Sequence, residues 1–281
     1  MRHLLCCLIL FQACSSEVFA GPVTIRILAL NTLHRPAGPP LADLATQVKR
    51  LRTPYPSLFL VTGGTSPPGD DGWGHPSEYR DTTALMNALG VDALALGSQQ
   101  LDSGQTIVRQ LISEADFPVV AANLEGVPGV LPRVYFNRRG VRVAVIGLVG
   151  ADSRQNANPR AIAGLTFISP LEAAREQIDE AELTADLIIL LTQQDVDHAW
   201  MMAQALCGPP APVTSVPILI VGQHTRTRPQ RPARIGNCTV LQPQGQGTML
   251  NVMDLALRNG ALQTVNGQPP EDRSNDGRQA P

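Results

Sequence analysis

The sequence predicts a layered α/β domain in which mixed β-sheets are flanked by helices. Short apolar runs typical of buried strands alternate along the chain with segments at helical spacing, and this alternation is typical of layered α/β domains. Hairpins in the later part of the chain add antiparallel strands, so the sheets are expected to be mixed. The chain has 281 residues, of which 43% are hydrophobic and 16% charged, and this is enough to bury a large core.

The first half of the chain begins with a strand and then alternates helices with buried strands. The segment Val23 to Leu30 alternates and then runs apolar, as a strand entering a buried sheet does. Apolar residues at helical spacing predict a helix over 40–53, and Gly90 is the expected C-cap of a helix over 82–89. Further strands are predicted at 58–62, 93–96 and 119–122, and a further helix at 106–115.

The second half continues the alternation and adds the hairpins. A hairpin is predicted from residues 134–137 and 142–148, and the second of these runs is apolar enough to be a core strand. Val240 and the run 249–257 are expected to supply late antiparallel strands. The remaining predicted elements are helices at 170–182 and 199–206 and strands at 187–191 and 218–221.

The first 20 residues predict an export signal rather than part of the fold. A short positive start precedes an apolar run of secretory-signal length at residues 4–11. Two processing sites remain open. Residues 11–14 resemble a lipobox whose Cys14 would be lipidated, whereas residues 18–20 suit ordinary cleavage. The lipoprotein interpretation is favoured, and either one places the protein in the periplasm or on the outer surface of a bacterial envelope.

The sequence divides the rest of the chain into one domain at 21–262 and a disordered tail at 263–281, where apolar periodicity ends. Two cysteines remain in the exported domain, Cys207 and Cys238. In an oxidising compartment two cysteines most often pair, and two unpaired buried thiols are the alternative. The formal charge of −2 gives no field for nucleic acid. Membrane attachment is expected only through a lipid on Cys14.

Five loops that follow predicted strands are rich in amides and hydroxyls. Functional residues of open α/β sheets lie just past the carboxyl ends of strands, so these loops are expected to line a neutral, polar pocket. They are Asn31-Thr32-Leu33-His34, Gly63-Gly64-Thr65, Gly97-Ser98-Gln99-Gln100, Thr192-Gln193-Gln194 and Gly222-Gln223-His224-Thr225.

The order of several segments resembles the metallophosphatase domain of the 5′-nucleotidase family, which belongs to the calcineurin-like phosphoesterases. The segments that carry this resemblance are Leu89 to Gly97 with Leu101 to Gly104, Phe117 to Leu124, and Val143 to Leu148. The resemblance runs from about Val23 to Leu257. It implies a metallophosphoesterase-like fold and, in an active member, two divalent ions such as Mn or Zn and nucleotides or related phosphate esters as substrates.

The positions that match the family's metal-ligand motifs carry other residues here. Thr32 stands for the Asp of the first motif, Thr65 for the bridging Asp, and Gln193 for a later His. Gln99 and Gln100 stand in the Asn-His-Glu motif, after Ser98. His34 is the only matching ligand, unless a one-residue shift lets His224 serve between Gln223 and Thr225. The pocket positions are Asn31, Thr32, His34, Thr65, Ser98, Gln193, Gln223, His224 and Thr225.

These replacements predict a protein that has lost the family's two-metal chemistry. Thr hydroxyls and Gln amides are weak neutral donors for divalent ions, and nothing at Thr65 offsets the repulsion between two cations. Gln99 cannot act as a general acid as an imidazolium can. We therefore expect no cofactor and a non-catalytic role in binding a ligand or an envelope protein. An active metal-dependent phosphoesterase and a structural envelope subunit with a vestigial pocket are the alternatives.

Three further clusters have both a functional interpretation and a purely structural one. Asp70, Asp71, His75 and Glu78 could form a new metal site, but a solvated acidic loop is favoured. His198 with Asp195 and Asp197 could form a carboxylate–histidine pair or simply mark an acidic helix start. The third cluster is a proline-spaced set of arginines that could clamp an anion or form a solvated loop: Arg226, Arg228, Arg231 and Arg234.

Overall fold

Two six-stranded sheets that pack face to face form the framework of the protein. The computed structural model describes residues 21–31, 33–34, 39–53, 55–62, 65–66, 76–210, 212–222, 232–243, 250–258 and 261–268. The strands are β1 (Val23–Leu30), β2 (Leu33–His34), β3 (Ser57–Thr62), β4 (Thr65–Ser66), β5 (Ala93–Ala95), β6 (Val119–Val120), β7 (Leu124–Glu125), β8 (Arg133–Arg138), β9 (Val141–Leu148), β10 (Thr166–Phe167), β11 (Leu187–Thr192), β12 (Ile218–Val221), β13 (Ala233–Ile235), β14 (Cys238–Leu241), β15 (Asn251–Arg258) and β16 (Ala261–Gln268). The helices are α1 (Pro39–Arg52), α2 (Pro76–Leu89), α3 (Ser98–Asp102), α4 (Gln105–Glu114), α5 (Ser153–Asn156), α6 (Pro170–Ala181) and α7 (Val196–Cys207).

The first sheet has the strand order β16-β15-β1-β3-β5-β6. β1, β3, β5 and β6 are parallel, and β15 and β16 add two antiparallel strands beside β1. The parallel strands end at one edge of the sheet, so the loops that follow β1, β3 and β5 lie there together.

The second sheet has the order β13-β14-β12-β11-β9-β8. β9, β11, β12 and β14 are parallel, and the antiparallel strands β8 and β13 form its edges. Val240 was predicted to lie in an antiparallel strand, and this prediction was wrong for the pairing with the inner strand β12. Val240 lies in β14, which runs parallel to its inner neighbour β12 and is antiparallel only to the edge strand β13. Hydrophobic alternation does not distinguish the two directions, because strand direction depends on the pairing partner.

The two sheets and the helices form four layers with three apolar interfaces. Residues from both sheets meet in the central interface, among them Ile27 and Leu60 from the first sheet and Val145 and Ile189 from the second. α1, α2, α3 and α4 cover the outer face of the first sheet. α6 and α7 cover the outer face of the second. The mixed-sheet α/β class predicted from the sequence is therefore confirmed.

A close approach of backbones joins the sheets where β6 meets β9. A Cβ on Gly147 would lie 2.2 Å from the backbone oxygen of Val120, so this position of β9 has room only for glycine. The N–H of Ala122 donates to the oxygen of Gly147 at 2.7 Å. Just beyond, the buried Asn123 side chain accepts from the N–H of Val149 at 2.7 Å and donates to its carbonyl at 2.9 Å. Three hydrogen bonds and one glycine thus fix the sheets to each other.

An ion cluster links the same two sheets at their opposite end. The Asp92 carboxylate, just before β5, accepts from Arg138 of β8 at 2.9 Å and from the N–H of Phe59 at 2.7 Å. It also pairs with Arg52 at the end of α1. Because the carboxylate is only 17% exposed, its charge needs these donors.

The disulfide predicted between Cys207 and Cys238 is present. It joins the last residue of α7 to the first residue of β14, with a Cα–Cα distance of 5.7 Å. Both cysteines are buried in the interface between the second sheet and its helices. The bond therefore fastens α7 to the strand layer that it covers.

The observed bounds differ from the predicted ones mainly at helix starts and at the C-terminal end. α2 begins at Pro76, six residues before the predicted start, and proline is favoured at the first helical position. α7 begins at Val196 because Asp195 caps it. β16 extends to Gln268, so residues 263–268 belong to the first sheet and not to the predicted tail. In the described parts of the chain, no helix combines the length and apolar character needed to cross a membrane.

Candidate functional site

The loops after β1 and β3 lie side by side at the carboxyl edge of the first sheet. Each contains a short strand, and the two strands β2 and β4 pair in parallel, Leu33 with Thr65 and His34 with Ser66. α3 contacts β4. The backbone thus brings the predicted pocket positions His34 and Thr65 to the start of α3, while their side chains lie outside the described part of the structure. Asn31, at the end of β1, is buried beside them.

A hydrogen bond between Ser98 and Gln193 crosses from one sheet to the other at this edge. The backbone N–H of Ser98, at the start of α3, donates to the carboxamide oxygen of Gln193 at 2.6 Å. Gln193 directly follows β11 of the second sheet, and Ser98 follows β5 of the first. The structure therefore brings together two of the predicted pocket residues that are 95 positions apart in the sequence.

The side-chain oxygen of Gln100 accepts a hydrogen bond within the fold, whereas that of Gln99 has no hydrogen-bond partner among the described residues. The Gln100 side chain is fully buried, and its oxygen accepts from the N–H of Gly97 at 3.0 Å, which fixes the start of α3. The carboxamide oxygen of Gln99 is also buried and has no hydrogen-bond partner within the described residues. Gln99 is thus the one of the two that retains hydrogen-bonding capacity for something outside the fold.

Several predicted positions fall outside the described residues. These are Thr32 in the first loop, Gln223, His224 and Thr225 in the last loop, and the lipidation candidate Cys14. Asp70, Asp71 and His75 also lie outside them, as do Arg226, Arg228 and Arg231. The predictions for these residues stay predictions.

His198 and Asp195 form a carboxylate–histidine pair at the start of α7. Asp195 accepts from the backbone N–H of His198 at 2.9 Å and contacts its Nδ1 at 2.8 Å, so the helix-start and carboxylate–histidine interpretations both hold. Partial burial favours a higher pKa for Asp195, but the hydrogen bonds and positive charge of His198 outweigh it and lower that pKa. Half of the His198 side chain is exposed. Elsewhere in the described residues, no group of three or more His, Cys, Asp or Glu side chains converges.

Sequence comparisons identify relatives among nucleotidases. No family model matches the chain. The protein UshA of Escherichia coli K12 is 27% identical over 252 residues, which cover 75% of this chain and 43% of that protein. A 5′-nucleotidase of Vibrio cholerae is 31% identical over 145 residues, covering 48% of this chain and 26% of that protein. The chain therefore spans less than half the length of the curated relatives that it matches.

Solved structures share the fold over most of the chain. A 5′-nucleotidase precursor from Thermus thermophilus superimposes with a TM-score of 0.70 and 20% identity, over 87% of this chain and 54% of that one. The chain is a relative of the 5′-nucleotidase family and has its metallophosphatase fold. The calcineurin-like phosphoesterase YfkN of Bacillus subtilis shares this fold with a TM-score of 0.67 and 21% identity, over 89% of this chain and 91% of that one. The metallophosphatase fold that the motifs imply is confirmed.

Within this metallophosphatase fold, sequence reasoning missed two polar residues near the strand-end site. Gln242 is buried directly after β14, and Asn123 is buried between the sheets. Gln194, the second residue after β11, is also buried; the sequence placed it in a pocket loop but not among the pocket positions. The signal for Gln242 was present, because it stands immediately after an apolar strand, as Gln193 does. Asn123 was noticed only as part of a strand motif.

Proposed function

We propose that this protein is an exported, non-catalytic member of the 5′-nucleotidase fold whose strand-end pocket binds a ligand or a partner protein. The pocket comprises the carboxyl-end loops of both sheets, with Ser98, Gln99, Gln193 and the neighbouring Asn31 as its described members. The relationship to nucleotidases supports the ancestry of the pocket, and its side chains support the loss of hydrolysis.

The hydrogen bond between Ser98 and Gln193 is the observation that carries this proposal. The resemblance implies a metal-binding His at position 193, whereas here a carboxamide oxygen accepts a backbone N–H at 2.6 Å. That oxygen is committed to joining the two sheets. The Gln100 oxygen likewise accepts from the N–H of Gly97, so two uncharged side chains at motif positions stabilise the fold.

The side chains described in the pocket are poor ligands for a pair of divalent cations. Two such ions bring four positive charges and bind hard oxygen or imidazole ligands, with carboxylates offsetting their mutual repulsion. Ser98, Gln99 and Gln193 are uncharged. Their amides and hydroxyl instead suit hydrogen bonding to an uncharged or anionic group. No cofactor is therefore part of the proposal.

An active metal-dependent phosphoesterase is the second candidate, because the matched relatives include proteins named 5′-nucleotidase. In that case nucleotides or related phosphate esters would be the substrates. His34 and the loop residues 223–225 would have to supply the ligands. Export of the chain, with or without a lipid on Cys14, is compatible with both candidates.

Metal content separates the two candidates. The purified mature chain is exposed to Mn²⁺ and Zn²⁺, freed of unbound ions and measured by elemental mass spectrometry, alongside the Vibrio cholerae 5′-nucleotidase treated in the same way as a control. We expect far less than one equivalent of metal in this protein and no release of phosphate from 5′-nucleotides. One or two equivalents that disappear in His34→Ala would refute the proposal.

A variant that restores ligand chemistry provides the matched positive test. Thr32→Asp, Thr65→Asp and Gln193→His together reintroduce carboxylates and an imidazole at the motif positions. If replacement of these ligands abolished metal binding, the triple variant should retain more metal than the parent. The Gln193→Asn variant keeps an amide and is expected to retain as little metal as the parent does.

A further inference from the structure

A row of polar residues lies at the end of the second sheet, on the side that α6 and α7 cover. β11, β12 and β14 pair in parallel register up to Val221, so the next residues of the three strands, Thr192, Gly222 and Gln242, follow side by side. Successive residues of a strand face opposite sides of a sheet. The row therefore shares the face of the apolar residues that pack against the two helices, not the face between the sheets.

Gly222 leaves a hollow in this row, and the side chain of Gln242 occupies it. A Cβ on Gly222 would lie 2.1 Å from the carboxamide oxygen of Gln242 and 3.2 Å from the backbone oxygen of Gln194. The Gln242 side chain thus extends from β14 over the middle strand, in the direction of Thr192. We call Thr192, Gln194, Gly222 and Gln242 the Gln242 recess.

Four side-chain polar atoms of this recess are buried and have no hydrogen-bond partner among the described residues. Thr192 is 0% exposed, Gln194 9% and Gln242 8%. The hydroxyl of Thr192, the carboxamide oxygen of Gln194 and both carboxamide heteroatoms of Gln242 have no hydrogen-bond partner among the described residues. Buried polar atoms are nearly always hydrogen-bonded in folded proteins, so a cluster of exceptions indicates a partner outside the chain.

We propose that the Gln242 recess binds a small uncharged molecule that presents a hydrogen-bond donor beside an acceptor, such as the edge of a primary carboxamide or a lactam. The unmatched atoms include two carbonyl oxygens and an amide N–H₂, so a suitable partner must both donate and accept. The recess borders the strand-end pocket, because Gln194 follows Gln193 directly, but Thr192, Gly222 and Gln242 lie on the helix-covered face and the recess uses none of Ser98, Gln99 or Gln193. It therefore stands whether or not the proposed function holds.

Charged partners fit the recess poorly. The oxygens of a carboxylate or phosphate would face the two carbonyl oxygens of Gln194, one from its backbone and one from its side chain. An ammonium group would pair with those oxygens but would leave the N–H groups of Gln242 unmatched. Uncharged amides satisfy both sets of atoms, because a carboxamide is complementary to a second carboxamide.

Side-chain amide NMR of the ¹⁵N-labelled mature protein tests the ligand class. The N–H₂ signals of Gln242 are assigned by their absence from the Gln242→Met spectrum. Titration with acetamide is expected to shift these signals in a saturable way, whereas acetate and methylammonium leave them in place. Gln194→Met should weaken acetamide binding about tenfold through the loss of one buried acceptor. Equal shifts with acetate, or no saturable shift with acetamide, would overturn the proposal.

Stability of the ligand-free protein gives an independent readout. Gln242→Met removes an unmatched carboxamide at similar volume, so the urea midpoint of unfolding should rise. Gln177→Met is the matched control, because Gln177 is equally buried at 7% but accepts a hydrogen bond from Arg133. Its midpoint should fall. If Gln242→Met lowered the midpoint as the control does, the carboxamide would already be satisfied by the fold or by internal water, and the recess would hold no ligand.

Discussion

Replacement of Gly147 by alanine tests whether the junction of β6 and β9 holds the two sheets together. The added Cβ would lie 2.2 Å from the backbone oxygen of Val120 and 2.4 Å from its carbonyl carbon. Both obstacles are backbone atoms, so no side-chain rotation can relieve the contact. The strands must move apart by more than about 1 Å, because ordinary contact begins at about 3.5 Å.

The expected cost follows from the two interactions that this movement disturbs. Overpacking of a core by one methyl group costs about 1–3 kcal/mol, and rigid backbone neighbours favour the upper part of that range. The movement also stretches the hydrogen bond from Ala122 to Gly147, which is 2.7 Å long, and such bonds contribute about 0.5–1.5 kcal/mol. We expect Gly147→Ala to lower the free energy of unfolding by about 3 kcal/mol. For a domain of this size the melting temperature should fall by about 6–12 °C.

Urea denaturation followed by circular dichroism, together with a thermal melt, measures this effect on the purified mature chain. Gly21→Ala is the control, because Gly21 is exposed and nothing lies within 4 Å of an added Cβ there. The control should stay within about 0.5 kcal/mol of the parent. A Gly147→Ala protein that unfolds within about 1 kcal/mol of the parent would show that the backbones are not in close contact. The account of how the sheets are joined would then fail.

Two further predictions concern α7. The Cys207–Cys238 disulfide closes a segment with a sequence separation of 31, so Cys207→Ser with Cys238→Ser should lower stability by about 3–4 kcal/mol in the chain-entropy estimate. The check is a urea titration of the parent with and without reductant, with intact mass to confirm the bond; equal midpoints would contradict the prediction. The lowered pKa of Asp195 stabilises the folded state at pH values above 3.8, which is the ordinary pKa of an aspartate. This stabilisation is lost as the pH falls through the depressed pKa. Because the side chain is 40% exposed, screening keeps the effect small, and Asp195→Asn should lose only a fraction of 1 kcal/mol at pH 7 and progressively less as the pH falls through the depressed pKa. A difference between Asp195→Asn and the parent that persists unchanged at low pH would assign the effect to packing instead of charge.

Local patterns were enough to predict most elements of the fold. The strand Val23–Leu30 and the strand Ile218–Val221 were predicted with their observed bounds, because apolar runs bounded by turn residues are local signals. Helix starts were less accurate, since α2 begins with a proline at its first position and α7 begins after the cap Asp195, both ahead of the apolar pattern. The direction of β14 was not predictable from Val240 and its neighbours, because direction is a property of the strand pair.

The strand-end site was predictable in its composition but not in its contacts. Gln193 and Ser98 were both expected in the pocket, yet the bond between them depends on how two sheets meet. The importance of Gln242 was not apparent in the sequence, because it depends on Gly222 lying between Gln242 and Thr192 in neighbouring strands. A glycine after a strand is common, and only the register across three strands makes this one a hollow.

The sequence by itself indicated the α/β class, the favoured pairing of Cys207 with Cys238, the resemblance to the 5′-nucleotidase family and the neutral chemistry of the motif positions. Each of these depends on residue type or on spacing along the chain. The tertiary structure decided which neutral side chains serve the fold and which are left unmatched. Gln100 and Gln193 are bound to backbone N–H groups, whereas Gln99, Gln194 and Gln242 retain buried polar atoms without partners among the described residues. All five are glutamines in segments that follow the carboxyl ends of strands, so only the packing of distant strands could give them different roles.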